Sequence, residues 1–131
     1  MTFGGGEPTL HPDFILRFRE LCGPSWRLTL ETSLNVPQEN IEALLPVVDS
    51  WIIDIKDLDA DIFRQYTGKD NSCVLSNLRL IAEAGRQKDC MIRLPLIPDY
   101  NTDTAREVSR KALSALGYSK FNLFTYQIRK H

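Results

Sequence analysis

The stretch Ser50-Trp-Ile-Ile-Asp-Ile-Lys56 decides the fold class. Successive side chains of a strand point to opposite faces, so Trp51, Ile53 and Ile55 can share one face while Asp54 and Lys56 stand on the other. The apolar face should meet helices, as in a parallel α/β fold, and the charges stand at the carboxyl end of the strand. In such folds the binding sites lie at the carboxyl ends of the strands.

Strand and helix patterns alternate on both sides of this stretch. Further strands are expected at Arg27–Glu31, Cys90–Leu96 and Lys120–Tyr126. Helical patterns fill the gaps at Pro12–Cys22, Gln38–Pro46, Ala60–Tyr66, Ser72–Ala84 and Thr102–Leu116. We expect Asn71 to cap the helix that begins at Ser72, and Gly68, Gly85 and Gly117 to follow helix ends. The alternation predicts an α/β fold of βα units around a parallel sheet.

Each strand also carries an apolar face that should meet the helices. These faces consist of Leu28 and Leu30, of Trp51, Ile53 and Ile55, and of Ile92, Leu94 and Leu96. The opposite faces become polar toward their carboxyl ends, at Glu31, Asp54, Lys56 and Arg93. Repeated charges there predict a solvated or ligand-filled cavity. The alternative is an internal ion network in which these charges only satisfy one another.

Composition excludes several classes of protein. The chain has 131 residues, which fit one domain over 1–131. A net charge of -1 gives no electrostatic footprint for nucleic acid. No apolar run approaches the roughly 20 residues that span a bilayer, so we expect a cytoplasmic protein with no nucleic acid or membrane partner. The widely separated Cys22, Cys73 and Cys90 are expected to be reduced, mostly structural thiols.

The two ends suggest that the sheet is open. Met1-Thr-Phe-Gly4 resembles the end of a strand, because strands normally run about five residues before a turn. After the last expected strand only Gln127–His131 follow, with no helical pattern. We therefore expect a chain that begins in mid-fold, lacks a first βα unit and forms a partial barrel.

A glycine-rich turn, Gly4-Gly5-Gly6-Glu7-Pro8, follows the first strand end. Glycines allow the backbone to approach a ligand closely, although a plain tight turn would have the same composition. A phosphate loop is disfavoured because its Lys and Ser/Thr are absent. His11, in Thr9-Leu-His-Pro12, is expected to be a helix-start residue rather than a ligand.

Six ordered segments resemble those of radical S-adenosylmethionine enzymes, in the branch that activates glycyl radical enzymes and includes pyruvate formate-lyase activating enzymes. Thr2-Phe-Gly-Gly-Gly-Glu-Pro8 resembles T-F-S-G-G-E-P, and Glu31-Thr-Ser33 resembles D-T-S/N with Glu in place of the common Asp. The others are Ile53-Asp-Ile-Lys56, Tyr66-Thr-Gly68 with Asn71, Val74-Leu-Ser-Asn77, and Ile92-Arg-Leu-Pro-Leu-Ile-Pro98 with Asn101. Thr9–Pro12 departs from this branch and is closer to G-G-E-P-L-L-H-P of other radical branches.

The resemblance implies a partial (β/α) barrel of the radical SAM type, with S-adenosylmethionine at the carboxyl ends of its strands. Gly5, Gly6 and Glu7 would engage the amino group of the cofactor's methionine moiety. Lys56 and Arg93 would face its carboxylate. Asp54, with Glu31, Thr32 and Ser33, would contact the ribose, the ammonium group or a monovalent cation. Gln127, where the family usually has His, would hydrogen-bond the ribose.

The family's C-x-x-x-C-x-x-C loop, whose thiolates hold a 4Fe-4S cluster, has no counterpart here. In the family this loop lies upstream of the glycine turn, so we expect the chain alone to be inactive and assign it no catalytic residue and no metal ligand. The resemblance implies a parent enzyme that generates a glycyl radical on a partner such as pyruvate formate-lyase. Its electron donor would be a flavodoxin or ferredoxin.

Three alternatives stay open. The first is another radical SAM branch that modifies a small molecule or a different protein. The second is a non-catalytic binding fragment that folds by pairing with another chain. The third is a barrel enzyme unrelated to radicals, which is disfavoured because no nucleophile-and-base pair and no clustered metal ligands stand out in the sequence.

Overall fold

A computed structural model describes residues 2–4 and 7–126 of the chain. Its five strands form one sheet in sequence order: β1 Thr2–Phe3, β2 Thr29–Thr32, β3 Ser50–Asp54, β4 Cys90–Leu96 and β5 Phe121–Thr125. Each strand is parallel to its neighbour. The expected α/β fold around a parallel sheet is confirmed. Within the described residues β1 and β5 are the two edges, so the sheet is open.

The helices lie between the strands, as the alternation predicts. They are α1 Pro12–Cys22, α2 Gln38–Leu44, α3 Ala60–Thr67, α4 Ser72–Glu83 and α5 Asp103–Ala115, with short 3-10 helices at Pro8–Leu10 and Gln87–Asp89. Each of these α-helices matches an expected one with bounds shifted by at most two residues. His11 occupies the position just before α1, as expected of a helix-start residue.

The core lies between the sheet and these helices. Trp51 and Ile53 of β3 are at most 1% exposed, and Ile92 and Leu94 of β4 are equally buried. Helix α4 covers them with Val74, Leu78 and Ile81, which recur at helical spacing on one face and are buried. Burying this apolar surface stabilises the fold by about 25 cal/mol for each Å² removed from water. Because the apolar faces of the strands are covered, their polar faces lie on the opposite side of the sheet.

The apolar-face prediction is wrong at one residue, Leu96. Leu96 is half-buried, whereas the neighbouring Pro95 and Ile97 are buried. Leu96 is the last residue of β4 and pairs with Thr125, an exposed residue at the end of β5. Among the described residues no helix follows β5 to cover this corner of the sheet.

The helix ends agree with the glycine predictions, and Asn71 occupies the N-cap position of α4 as expected, although its side chain makes no capping hydrogen bond. Gly68, Gly85 and Gly117 follow helices and have φ of 74°, 71° and 97°, values that a residue without a side chain adopts without strain. Asn71 precedes α4, but its side-chain amide donates to the Leu58 carbonyl at 2.8 Å. The carboxylate of Asp70 accepts the amide of Ser72 instead, at 3.0 Å.

The three thiols differ in exposure. Cys90, at the start of β4, is buried, and its burial raises the pKa of the thiol to about 12. Cys22 is half-buried and Cys73 is exposed. All three thiols are free, as expected, and the burial of Cys90 agrees with a structural thiol. In the described part of the chain, no helix combines the length and the apolar character needed to cross a membrane.

Candidate functional site

The register of the central strands places charged side chains side by side. Asp54 of β3 pairs with Arg93 of β4, and Glu31 of β2 pairs with Ile52 of β3. Because side chains alternate between faces, these residues project from the face opposite the helix-covered core. We call this the site face, defined by Glu31, Ile52, Asp54, Lys56 and Arg93. Three neighbouring strands therefore contribute charges to one surface.

A cavity of about 240 Å³ opens on the site face. It is lined by Glu7, Glu31, Thr32, Ser33, Ile52, Asp54, Lys56 and Arg93. All of these except Ile52 are residues for which the sequence predicts cofactor contact, so the structure brings the predicted set together. Their contacts with a cofactor stay predictions. Gly5, Gly6 and Gln127 lie outside the described residues.

Glu7 is held against the end of β2 by hydrogen bonds. Its Oε1 accepts hydrogen bonds from the amide and hydroxyl of Ser33, at 2.8 and 2.7 Å. Its Oε2 accepts from the hydroxyls of Thr32 and Thr9, at 2.8 and 2.7 Å. A carboxylate that accepts hydrogen bonds from several donors is held in one position. These hydrogen bonds thus fix Glu7 at the edge of the cavity.

Lys56 and Asp54 form an ion pair within the cavity. The Lys56 ammonium donates to Asp54 Oδ2 at 3.0 Å and also to the hydroxyl of Tyr126, whose ring it overlies. Burial lowers the pKa of Lys56, but the hydrogen bonds to Tyr126 and Asp54 raise it, and the net shift is upward. Lys56 is therefore a fixed cation at neutral pH. The second oxygen of Asp54, Oδ1, is buried without a hydrogen-bond partner.

Arg93 and Glu31 differ from Lys56 and Asp54 in their contacts. The guanidinium of Arg93 lies 4.6 Å from the ring centroid of Phe124, a cation–π contact. Within the described residues, neither Arg93 nor Glu31 forms an ion pair. The alternative of a self-satisfying ion network therefore accounts for Asp54 and Lys56 only. The cavity holds a cation and a carboxylate that remain available to a ligand.

A buried polar cluster lies directly behind Lys56. Asp57, which is 2% exposed, accepts hydrogen bonds from the hydroxyl of Ser109 at 3.2 Å and from the side-chain amide of Asn101 at 3.2 Å. Asn101 also accepts the amide of Ile97 at 2.6 Å. This cluster joins the ends of β3 and β4 to α5 and so fixes the backbone that carries Lys56.

An aromatic cluster contacts Lys56 through Tyr126. Tyr66 of α3 packs edge-on against Tyr100 with ring centroids 4.9 Å apart, and stacks near Tyr126 at 6.5 Å. Tyr126 packs edge-on against Phe124 at 5.2 Å. Aromatic pairs in these geometries add about 0.5–1.5 kcal/mol beyond the burial of their area. The cluster therefore helps to hold Tyr126 against Lys56.

Sequence reasoning missed Tyr126 and Asp57 as site residues. Tyr126 reaches Lys56 across 70 positions of sequence, and Asp57 reaches Ser109 across 52. One signal was present for Tyr126: it stands at the carboxyl end of an expected strand, where side chains of a parallel sheet meet. The position of Asp57 next to Lys56 gave no comparable indication of burial.

A second cavity of about 200 Å³ is continuous with the first. The two share Glu7, Ser33, Asp54 and Lys56, and the second extends to Leu10, Asn35, Phe63, Thr67 and Lys69. The combined space runs from the sheet to the inner side of α3. It is large enough for more than a single small ion, which agrees with a site for an extended organic ligand.

The described residues offer no metal centre. No group of three or more His, Cys, Asp or Glu side chains lies close enough together in them to hold a metal ion. Cys22 ends α1, Cys73 lies in the first turn of α4 and Cys90 begins β4. None of these thiols lines either cavity, so they do not form a cluster-binding set.

Comparison with known proteins gives a family match over most of the chain. A model of the Radical SAM superfamily matches residues 1–112. The chain is 35% identical over 109 residues to the indoleacetate decarboxylase activating enzyme of Tractidigestivibacter scatoligenes, which covers 82% of the chain and 34% of that enzyme. It is 37% identical over 105 residues to the (2S)-3-sulfopropanediol dehydratase activating enzyme of Klebsiella oxytoca, covering 79% and 32%. The chain thus spans about a third of the length of these relatives.

Solved structures share the fold. A domain of pyruvate-formate lyase-activating enzyme from Bacteroides vulgatus matches with a TM-score of 0.63 and 21% identity, over 94% of this chain and 97% of that domain. Coproporphyrinogen III oxidase from Escherichia coli, a radical SAM enzyme, matches with a TM-score of 0.74 and 18% identity, over 96% and 31%. SuiB of Streptococcus suis bound to S-adenosylmethionine gives 0.69 and 14%, over 96% and 29%. At these identities the likeness concerns the fold alone.

Proposed function

This chain belongs to the radical SAM superfamily, and from that premise we propose that its cavity holds S-adenosylmethionine. The observation that carries the proposal is the position of Lys56, Arg93, Asp54 and Glu31 around one cavity at the carboxyl ends of β2, β3 and β4. The methionine part of this cofactor is zwitterionic. A cavity with separate cationic and anionic groups offers partners for both of its charges.

The residues present fit the cofactor. Arg93, which has no ion pair among the described residues, and Lys56 would hold the carboxylate. The buried, unpaired Oδ1 of Asp54 and the carboxylate of Glu31 would accept hydrogen bonds from the ammonium group or the ribose hydroxyls. Thr32 and Ser33, together with Gly5, Gly6 and Gln127 outside the described residues, complete the proposed set of contacts. Tyr126 would act through Lys56, whose ammonium it helps to orient.

When bound next to a reduced 4Fe-4S cluster, S-adenosylmethionine supplies a carbon radical that abstracts a hydrogen atom from the substrate. The residues of this chain would bind and orient the cofactor and exclude water from it. Because the three cysteines lie apart and away from the cavity, they do not fit the cluster. We therefore propose that this chain alone performs no radical chemistry.

Electron paramagnetic resonance tests the last proposal. After anaerobic incubation of the chain with iron, sulfide and a reductant, we expect no 4Fe-4S signal and no cleavage of S-adenosylmethionine. A 4Fe-4S signal accompanied by release of 5'-deoxyadenosine would contradict it.

For the protein of which this sequence forms part, we propose the activity of a glycyl-radical-enzyme activating enzyme. The support is the identity of 35–37% to enzymes whose names describe activation of a decarboxylase and of a dehydratase. The partner would be a glycyl radical enzyme such as pyruvate formate-lyase, and the electron donor a flavodoxin or ferredoxin. A glycyl radical signal on a co-incubated partner tests this proposal, while modification of a small molecule instead would favour another radical SAM branch.

Cofactor binding is tested most simply by calorimetry with two ligands. S-adenosylmethionine should bind the chain, whereas 5'-methylthioadenosine, which lacks the amino-acid group, should bind at least about tenfold more weakly because the charge-assisted hydrogen bonds of Lys56 and Arg93 are lost. Equal affinities would show that the cations of the cavity do not hold the carboxylate.

A further inference from the structure

The carboxylate of Glu31 lies against the bare backbone of Gly4. We propose that Gly4 is a specificity-determining residue of the cavity: its missing side chain leaves the space in which the Glu31 carboxylate stands, and this fixes where that negative charge meets a ligand. The inference rests on the proposed function, since the ligand considered is S-adenosylmethionine. The inference adds Gly4 to the residues for which the sequence predicts a contact with this cofactor.

The sheet register places the two residues side by side. Phe3, the last residue of β1, pairs with Leu30 of β2. The residues that follow them, Gly4 and Glu31, are therefore neighbours on the site face. A Cβ built on Gly4 would lie 2.9 Å from Oε2 of Glu31, 3.3 Å from its Cδ and 3.6 Å from its Cβ. A side chain at position 4 and the observed Glu31 conformation therefore exclude each other.

Space, not backbone conformation, makes glycine necessary here. The glycines with positive φ among the described residues are Gly23, Gly68, Gly85 and Gly117, and Gly4 is not one of them. A positive φ therefore does not exclude a residue with a side chain at position 4. The atoms that would crowd the new methyl group belong to the end of a flexible side chain. A substitution should consequently displace the Glu31 carboxylate and leave the sheet intact.

Glu31 is the acidic side chain of the cavity that has no ion pair and no anchoring role among the described residues. The oxygens of Glu7 accept hydrogen bonds from Thr9, Thr32 and Ser33, and Oδ2 of Asp54 is paired with Lys56. The carboxylate of Glu31, by contrast, has no ion pair in the described part of the chain. Moving it changes a charge that is available to the ammonium or hydroxyl groups of the cofactor.

A double-mutant cycle tests the pair. We expect Gly4→Ala to weaken binding of S-adenosylmethionine about tenfold while the midpoint of thermal unfolding stays unchanged. In the Glu31→Asp background, whose shorter side chain withdraws from position 4, adding Gly4→Ala should cause little further loss. The proposal would be overturned if the two substitutions reduced the affinity independently, so that their fold-reductions multiplied in the double variant. Unchanged affinity of the Gly4→Ala variant would also overturn it.

A second measurement separates this inference from the proposed function. If the wild-type chain does not bind S-adenosylmethionine, the proposed function fails, but the pair is still tested by NMR of side-chain carboxyl groups labelled with ¹³C. Gly4→Ala should shift the Glu31 resonance, assigned by its loss in Glu31→Gln, and leave that of Glu107 on α5 unchanged. A Glu31 resonance that does not move would overturn the inference.

Discussion

The ammonium of Lys56 lies 3.0 Å from Oδ2 of Asp54, while Oδ1 of the same carboxylate is buried without a partner. The ion pair therefore uses half of the acceptor capacity of Asp54. This arrangement is expected where one oxygen holds a neighbouring cation and the other is left for a ligand.

Replacing Lys56 should destabilise the chain as well as the site. Lys56→Met leaves the half-buried Asp54 carboxylate without its cation, and we expect the free energy of unfolding to fall by about 1–2 kcal/mol. Because the pKa of Lys56 is raised in the folded chain, the contribution of this ammonium is fully present at neutral pH. It should disappear only as the pH rises beyond about 10.

Urea denaturation measures this loss, with Lys111→Met on the exposed face of α5 as the matched control. The control should stay within about 0.5 kcal/mol of the wild type. Equal stability of the two variants would show that the ion pair contributes nothing.

Asn77 should be needed for the loop that ends β2. It is fully buried, and its side-chain amide donates to the carbonyls of Leu34 at 2.8 Å and Val36 at 2.9 Å. Leu34 has a φ of 60°, which is unusual for a residue with a side chain. Asn77→Leu leaves both carbonyls unpaired and should cost about 2–4 kcal/mol.

The exposed neighbour Ser76 provides the control for Asn77, and Ser76→Ala should leave the urea midpoint nearly unchanged. A midpoint for Asn77→Leu equal to that of Ser76→Ala would contradict the structural role of these two hydrogen bonds.

The hydrogen bonds of the Asp49 carboxylate predict a loss of stability in acid. It accepts the amide of Leu28 at 2.6 Å and the guanidinium of Arg19 at 2.7 Å. The hydrogen bond from Leu28, followed by that from Arg19, lowers the pKa of this carboxyl. A lowered folded-state pKa gives stability that is present above the unfolded value of about 3.9 and is lost as the pH falls through the folded value.

Asp49→Asn should therefore lower stability at pH 7 by about 1 kcal/mol, a modest figure because solvent screens this partly exposed side chain. It should also flatten the fall in stability below about pH 4. Urea denaturation across pH 2–7 measures both effects, with the exposed Glu83→Gln as control. An unaltered pH profile would refute the assignment.

The thiols should react with Ellman's reagent in an order set by exposure. Cys73 should react first and Cys22 more slowly, while Cys90 should react only on unfolding, because burial raises its pKa to about 12 and keeps the nucleophilic thiolate scarce. Mass spectrometry of the labelled peptides identifies each site. Rapid labelling of Cys90 in the folded chain would be inconsistent with its burial.

The order of helices and strands could be predicted because hydrophobic periodicity and the residues that begin or end a helix are local features of the sequence. The strand Ser50–Asp54 alternates an apolar and a mixed face, and α4 presents Val74, Leu78 and Ile81 at helical spacing. The bounds of β2 were less accurate: the strand begins at Thr29, not at Arg27. The carbonyl of Leu28 instead accepts the amides of Asp49 and Ser50 at 2.9 and 3.1 Å. That contact depends on a loop which no local pattern describes.

Most residues that line the cavity could be predicted from the sequence, but the contacts among their side chains could not. The carboxyl ends of parallel strands converge, so Glu31, Asp54 and Arg93 could be placed together from alternation alone. The partnership of Lys56 with Tyr126 and the contact of Gly4 with Glu31 depend on how β5 and β1 lie beside their neighbours. Such distances between distant parts of the chain are set by tertiary packing.

Arg93 provides the most direct test of the central claim, that the charged side chains of three strands together bind S-adenosylmethionine. Arg93→Gln keeps a polar side chain but removes the cation, and calorimetry should show affinity reduced by about tenfold or more. Arg79→Gln, on the exposed face of α4, should bind as the wild type does. An Arg93→Gln variant that binds S-adenosylmethionine as tightly as the wild type would contradict the account.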